Sequence, residues 1–99
     1  MDERKVVWSK RAETELRQVL EFYIDRNQSN KYSLRLLNEV EKATGLLSSF
    51  PYLGKISDNG QTLVIVKDKF LIFYEVYSNA IAILSFWDGR QEVSKRIDH

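Results

Sequence analysis

The chain has 99 residues, 43% of them apolar and 12% aromatic, which suits one domain with one ordinary core and is too little for two. Residues 1–50 hold nine basic and eight acidic side chains and residues 51–99 six of each, so there is no basic arm or acidic tail, and contact with nucleic acid would need a local cluster. With no cysteine and a single histidine, His99, the chain excludes a disulfide framework, a thiolate nucleophile, a cysteine zinc site and a multi-histidine metal site.

No metal and no cofactor is expected. The opening "MDERKVVWSK" lacks the apolar core of a signal peptide, and no later run could span a bilayer, so a cytoplasmic protein without membrane contact is expected. "KVVW" at residues 5–8 reads as a first strand, and Ser9 offers a helix N-cap. Apolar residues then recur with helical spacing at Ala12, Leu16, Val19, Leu20, Tyr23 and Ile24, opposite Glu13, Arg17, Glu21 and Asp25. The helix fades in "RNQSN". A second helix runs from about Ser29, with Leu36, Leu37, Val40, Ala43, Thr44 and Leu47 on one face, and Pro51 stops it. The short linker makes the two helices an antiparallel hairpin. "PYLGKISDNG" at residues 51–60 is the only long loop. "TLVIV" is a strand, "KDK" a turn, "FLIFYEVY" a strand, Ser78-Asn79 a two-residue hairpin turn and "AIAILSFW" the last strand. The order is β-α-α-β-β-β, in one domain over residues 1–99 with a polar tail over 92–99.

The hairpin turn pairs Tyr77 with Ala80, Tyr74 with Ile83, Phe73 with Leu84 and Leu71 with Phe86. Alternation places Leu71, Phe73, Leu84 and Phe86 on one face and Phe70, Ile72, Tyr74, Val76, Ile81, Ile83, Ser85 and Trp87 on the other. Two helices can cover one face of a four-stranded sheet. The other apolar face is expected to meet a partner, a ligand or a second copy, or to be folded over by the tail and the long loop. The face carrying Ile72 and Trp87, with Arg90 at its rim, is taken as the open one.

Four stretches resemble the RelE/ParE superfamily of toxins from type II toxin–antitoxin systems. "VVWSKRAETELRQVLEFYIDRN" is similar to its opening strand and first helix. "LLSSFPYLGK" is similar to the end of its second helix and its Phe-Pro-x-x-Gly-Arg/Lys loop. "VIVKDKFLIFYEVYSNAIAIL" resembles its hairpin with a mid-strand tyrosine, and "FWDGRQ" resembles the closing strand of ParE-type members. Together they span nearly the whole chain. The resemblance implies an α+β fold, with the helical hairpin packed on one face of a mainly antiparallel sheet. It also implies a cytoplasmic toxin neutralised by a cognate antitoxin, in a homodimer or a toxin–antitoxin hetero-oligomer. RelE-like members cut mRNA on the ribosome without a metal, and ParE-like members inhibit DNA gyrase.

Metal-free RNA cleavage needs a base for the 2′-hydroxyl, cations for the phosphate and an acid for the leaving oxygen. Arg90 suits the phosphate, because its planar fork binds two oxygens. Lys55 matches the family's basic loop position, and Tyr74 and Asp88 are the candidates for proton transfer. Each also has an ordinary reading: a surface Arg90–Asp88 pair, a solvated loop lysine, a core tyrosine with its hydroxyl satisfied. The likeness to the nucleases is incomplete. Ile65 and Leu71 stand at hairpin positions where those members carry arginine, and no tyrosine follows Arg90 in "QEVSKRIDH". The expected function is therefore that of a ParE-like toxin acting on a protein target such as DNA gyrase, with Ile72, Trp87 and Arg90 at the partner surface and the long loop beside them. The rivals are a RelE-like, ribosome-dependent mRNA endonuclease and an inactive toxin fold kept as a binding module.

Overall fold

The computed structural model describes residues 3–89. Strand β1 (Lys5–Trp8) leads into helices α1 (Lys10–Asn27) and α2 (Lys31–Ser49), followed by strands β2 (Lys55–Ile56), β3 (Leu63–Lys67), β4 (Phe70–Val76) and β5 (Ala80–Asp88). The sheet order is β1-β5-β4-β3-β2. β1 runs parallel to β5 and the other neighbours are antiparallel. The α+β arrangement matches expectation, with one strand added. β2 lies inside the expected loop and is too short, at two residues, to show any alternation in sequence.

Local chemistry sets the helix ends. Ser9 Oγ accepts from the Ala12 N–H at 3.0 Å and starts α1. Gln28 closes α1 in the left-handed region at φ 53° and donates its N–H to the Ile24 carbonyl. Ser29 Oγ accepts from the Lys31 N–H at 3.2 Å at the start of α2. Before Pro51, the Phe50 N–H closes the last turn on the Leu46 carbonyl at 2.8 Å.

The helices cover the sheet face that carries Phe70, Ile72, Tyr74, Ile81 and Ile83, all fully buried. Leu36, Val40 and Leu47 of α2 meet them, as the helical spacing expects. The face read as open is therefore the covered one. Ile72 has no exposed surface and sits in the core, not at a partner surface. Ile24, expected on the buried face of α1, is 40% exposed.

The hairpin register also departs from expectation. Tyr74 pairs with Ile83 as expected, but Phe73 pairs with Ser85, Ile72 with Phe86 and Leu71 with Trp87. Leu84 is the extra residue of a bulge, and beyond it Phe86 and Trp87 exchange the faces expected of them. Phe86 thus turns into the core and stacks on Phe70 at 5.3 Å between ring centroids. Trp87, cross-strand from Leu71, leaves the Ile72 face.

The bulge falls where β5 changes neighbour. β1 accompanies β5 only from Ala80 to Ile83. Past that point the Ser9 N–H donates to the Ile83 carbonyl at 2.9 Å and Ser9 Oγ donates to the Leu84 carbonyl at 3.2 Å. One α1 carboxylate then takes over. Glu15 Oε1 accepts from Ser85 Oγ at 2.9 Å and from the Phe86 N–H at 3.0 Å, while Oε2 meets Arg11 Nε at 3.3 Å. Glu15→Ala strands the Phe86 N–H and the Ser85 hydroxyl, and is expected to lower stability by about 1–3 kcal/mol. Glu15→Gln keeps an acceptor oxygen and loses less. Urea unfolding measures both, with hydrogen exchange at the Phe86 amide as the local readout.

Candidate functional site

The family-like loop is held from below by a core tyrosine. The Tyr74 hydroxyl donates to the Pro51 carbonyl at 2.8 Å and accepts from the Gly54 N–H at 2.9 Å. Burial pushes the hydroxyl above the usual tyrosine range, partly offset by the Gly54 N–H that favours its anion. Gly54 is the residue that allows this approach. A Cβ there would lie 2.7 Å from both the Tyr74 hydroxyl and the Val64 carbonyl oxygen, and a backbone oxygen cannot move aside. The clamp fixes where the loop leaves α2 and where β2 begins. It also uses both hydrogen-bonding capacities of the tyrosine inside the protein.

The closing "FWDG" stretch is fixed in a similar way. The Gly89 N–H donates to the Lys69 carbonyl at 2.6 Å, and a Cβ on Gly89 would lie 2.6 Å from that same oxygen. The Lys69 ammonium lies 5.1 Å from the ring centroid of Tyr23, 5.3 Å from that of Tyr32 and 5.4 Å from that of Phe70. Cation–π attraction thus ties the β3–β4 turn to both helices and to the core. Asp88 Oδ2 accepts from the Tyr23 hydroxyl at 3.3 Å.

These placements do not gather the candidate ribonuclease residues around one centre: the Tyr74 hydroxyl reaches the Gly54 N–H beside Lys55 but is spent there, and Asp88 lies elsewhere. Tyr74 points into the core. Lys55 is exposed on the outer strand β2, opposite Val64. Asp88 ends β5 opposite Phe70. Lys55 and Asp88 are three strand spacings and three residues apart on the sheet, a separation of about 17 Å. No single phosphate can touch both. Arg90 lies outside the described residues. Among the described residues there is no cluster of three side chains that could hold a metal, and no helix is long and apolar enough to cross a membrane.

Two grooves flank the sheet instead. One, of about 370 Å³, runs between α1 and the end of β5 and is walled by Glu15, Val19, Phe22, Phe86 and the half-buried Trp87. The other, of about 500 Å³, runs between α2 and the outer side of β3. Exposed apolar residues also gather along the chain from the end of α2 to β2, in and before the loop expected as a contact surface, although the sequence reading does not name them one by one. Leu46, Phe50, Tyr52, Leu53 and Ile56 are each 51–68% exposed, within one stretch of chain. A signal for them was present: Leu46 falls off the buried stripe of α2, and the loop after it is rich in apolar side chains.

Residues 6–93 match the family model described as the ParE toxin of the type II toxin–antitoxin system, parDE. The chain belongs to the ParE toxin family. It is thus a toxin component of a type II toxin–antitoxin system. A solved structure, "Chromosomal ParDE TA system from P. aeruginosa", shares the fold, with a TM-score of 0.73 at 15% sequence identity over 85% of this chain and 94% of that one. No curated protein matches the chain at a significant level.

Within this ParE-family fold, the mid-strand tyrosine is an anchor for the loop. Tyr74→Phe leaves the Gly54 N–H and the Pro51 carbonyl without their partner and is expected to lower stability by about 1–3 kcal/mol. The clamp also gives a sign for pH. A hydroxyl whose proton affinity is raised by folding contributes stability below its unfolded value of about 10, and loses it as pH rises through the folded value. Wild type is therefore expected to lose stability on the alkaline side more steeply than Tyr74→Phe. Unfolding curves from neutral to alkaline pH check this.

Proposed function

We propose that the chain is a ParE-like cytoplasmic toxin that arrests growth by binding a protein target such as DNA gyrase and is neutralised by a cognate antitoxin. The observation that carries this reading is the run of exposed apolar residues from the end of α2 to β2, Leu46, Phe50, Tyr52, Leu53 and Ile56, around a loop that Tyr74 anchors at Pro51 and Gly54. Exposed apolar and aromatic groups on a pre-organised backbone are the anchors of protein interfaces. The separation of Lys55 from Asp88, and the use of the Tyr74 hydroxyl inside the protein, support the same choice, because phosphoryl chemistry needs free groups within reach of one reacting centre. The likeness to the P. aeruginosa protein, which comes from a ParDE toxin–antitoxin system, supports an antitoxin as the regular partner.

The test is induced expression with two readouts, mRNA integrity and gyrase-dependent DNA breaks, followed by supercoiling assays with purified protein. Growth arrest with DNA breaks and intact mRNA is expected, and coexpression of the adjacent reading frame is expected to restore growth. Tyr52→Ala is expected to weaken target binding by about tenfold. Lys55→Ala is expected to keep the toxicity. Codon-spaced cuts in mRNA that vanish with Arg90→Ala would establish the endonuclease instead, and harmless expression would leave only a binding module.

A further inference from the structure

We propose that the pocket at the end of β4, between Tyr52 and Tyr77, binds an arginine side chain of a partner protein on the carboxylate of Glu75. The pocket, of about 370 Å³, lies where the loop after α2 and the start of β3 meet the end of β4. Alternation puts Glu75 and Tyr77 side by side, on the sheet face opposite to buried Tyr74. Across from Glu75 on β5 stands only Ala82, a side chain too short to cover a carboxylate.

The first support is the way Glu75 is held. The Tyr77 hydroxyl donates to its Oε1 at 2.6 Å and the Thr62 hydroxyl to its Oε2 at 3.4 Å. Thr62 is fixed in turn by Asn59, whose Oδ1 accepts from the Gln61 N–H at 2.8 Å and the Thr62 N–H at 2.9 Å, and whose Nδ2 donates to Thr62 Oγ1 at 3.0 Å. Each carboxylate oxygen thus has one neutral donor and keeps a second lone pair. Neutral hydroxyls orient the carboxylate without cancelling its charge. Its hydrogen bond, and then that charge, hold the Tyr77 hydroxyl above the usual tyrosine range. Two oriented oxygens match the planar fork of a guanidinium, which binds a carboxylate through two parallel N–H bonds.

The second support is charge. Among the described residues, ion pairs join Glu15 to Arg11 and Glu39 to Lys67, and none reaches Glu75. No described basic side chain lines the pocket. Arg4 is tied to the backbone of Tyr77 instead, its Nε donating to the Tyr77 carbonyl at 2.9 Å. The third support is the walls. Tyr52, Ile56 and Tyr77 are each more than half exposed. Aromatic rings attract a guanidinium, and Ile56 offers apolar surface to its methylene stem. Other ligands fit less well. The carboxylate repels a nucleic-acid phosphate, and a metal ion would need further ligands, which no cluster among the described residues supplies.

The inference rests on the protein-binding reading and names the chemistry of one contact within it. Its test reads binding rather than growth arrest, so the two can fail separately. The full chain, labelled with nitrogen-15, is titrated with a capped tripeptide that carries arginine between two glycines. Parallel titrations replace the arginine with neutral citrulline or with lysine. The arginine peptide is expected to shift the amide signals of Gln61, Thr62 and residues 75–77, and to bind less tightly as salt rises. It is expected to bind about tenfold more tightly than the citrulline peptide. Once bound, its charge offsets that of Glu75, so the Tyr77 hydroxyl is expected to titrate closer to the usual tyrosine range. Glu75→Gln keeps the shape of the side chain and is expected to weaken binding by about tenfold. Tyr52→Ala, at an exposed position, is expected to weaken it by about threefold. The proposal is overturned if the citrulline peptide binds as tightly, or if Glu75→Gln, with the rest of its amide spectrum unchanged, binds like wild type. It is equally overturned if the arginine peptide shifts signals elsewhere or nowhere, or if the lysine peptide binds as well, because the site then does not read a fork.

Discussion

The fold turns on one exchange of neighbours along β5. For its first half this strand has β1 beside it, and for its second half it has a helix. Ser9 sits at the changeover with two jobs: it caps α1 and satisfies the Ile83 and Leu84 carbonyls. Two turns further on, Glu15 reaches the Phe86 N–H. A strand can be extended in this way only if the helix lies close along it, and that fixes α1 on the sheet. Leu84 is the residue left over as the strand passes from one neighbour to the other, and its bulge turns Phe86 inward onto Phe70. The covered face, the direction of Trp87 and the groove beside α1 all follow from that switch.

A second constraint works at the opposite corner. Tyr74 is a core residue whose hydroxyl emerges at the far side of the core to hold the loop at Pro51 and Gly54. Hydrophobic burial positions the ring, and two hydrogen bonds carry that rigidity into the loop. A loop backbone held at two points has less freedom to lose if another chain packs on it. Tyr74 thus acts as a support for the loop, with its hydroxyl spent inside the protein.

The helices and the hairpin are legible in the sequence because both rest on local chemistry. The period of Leu36, Val40 and Leu47, the Ser9 cap, Pro51 and the Ser78-Asn79 turn each state their own consequence. The failures are non-local. A bulge at Leu84 leaves no mark in a run of apolar residues, because either register buries apolar side chains. Which of two apolar faces the helices cover depends on where α1 docks, and that rests on the Glu15–Phe86 contact across 71 positions of sequence. Tyr74 is a proton-transfer candidate by resemblance and a satisfied core tyrosine by its ordinary reading, and the ordinary reading fits the geometry. Lys55 and Asp88 look close only when strands are written as a line. In the sheet they lie at different corners.

The outer strands are finished unequally. At the start of β1, the Arg4 N–H donates to the Ser48 carbonyl at 3.2 Å and Ser48 Oγ donates back to the Arg4 carbonyl at 2.6 Å, so the end of α2 closes that margin. The late margin of β5 is closed by Ser9 and Glu15. Both closures use helix groups as substitutes for a missing strand. On the other side of the sheet β2 stops after two residues, and α2 sends lysines and leucines toward β3 rather than hydrogen-bonding groups toward its backbone. A small protein gains nothing in its own stability from leaving Val66 open while it seals comparable positions elsewhere. The sheet is thus sealed by helix groups along β1 and the late part of β5, and it keeps an exposed Val66 on its β3 side, beside an apolar and positively charged wall.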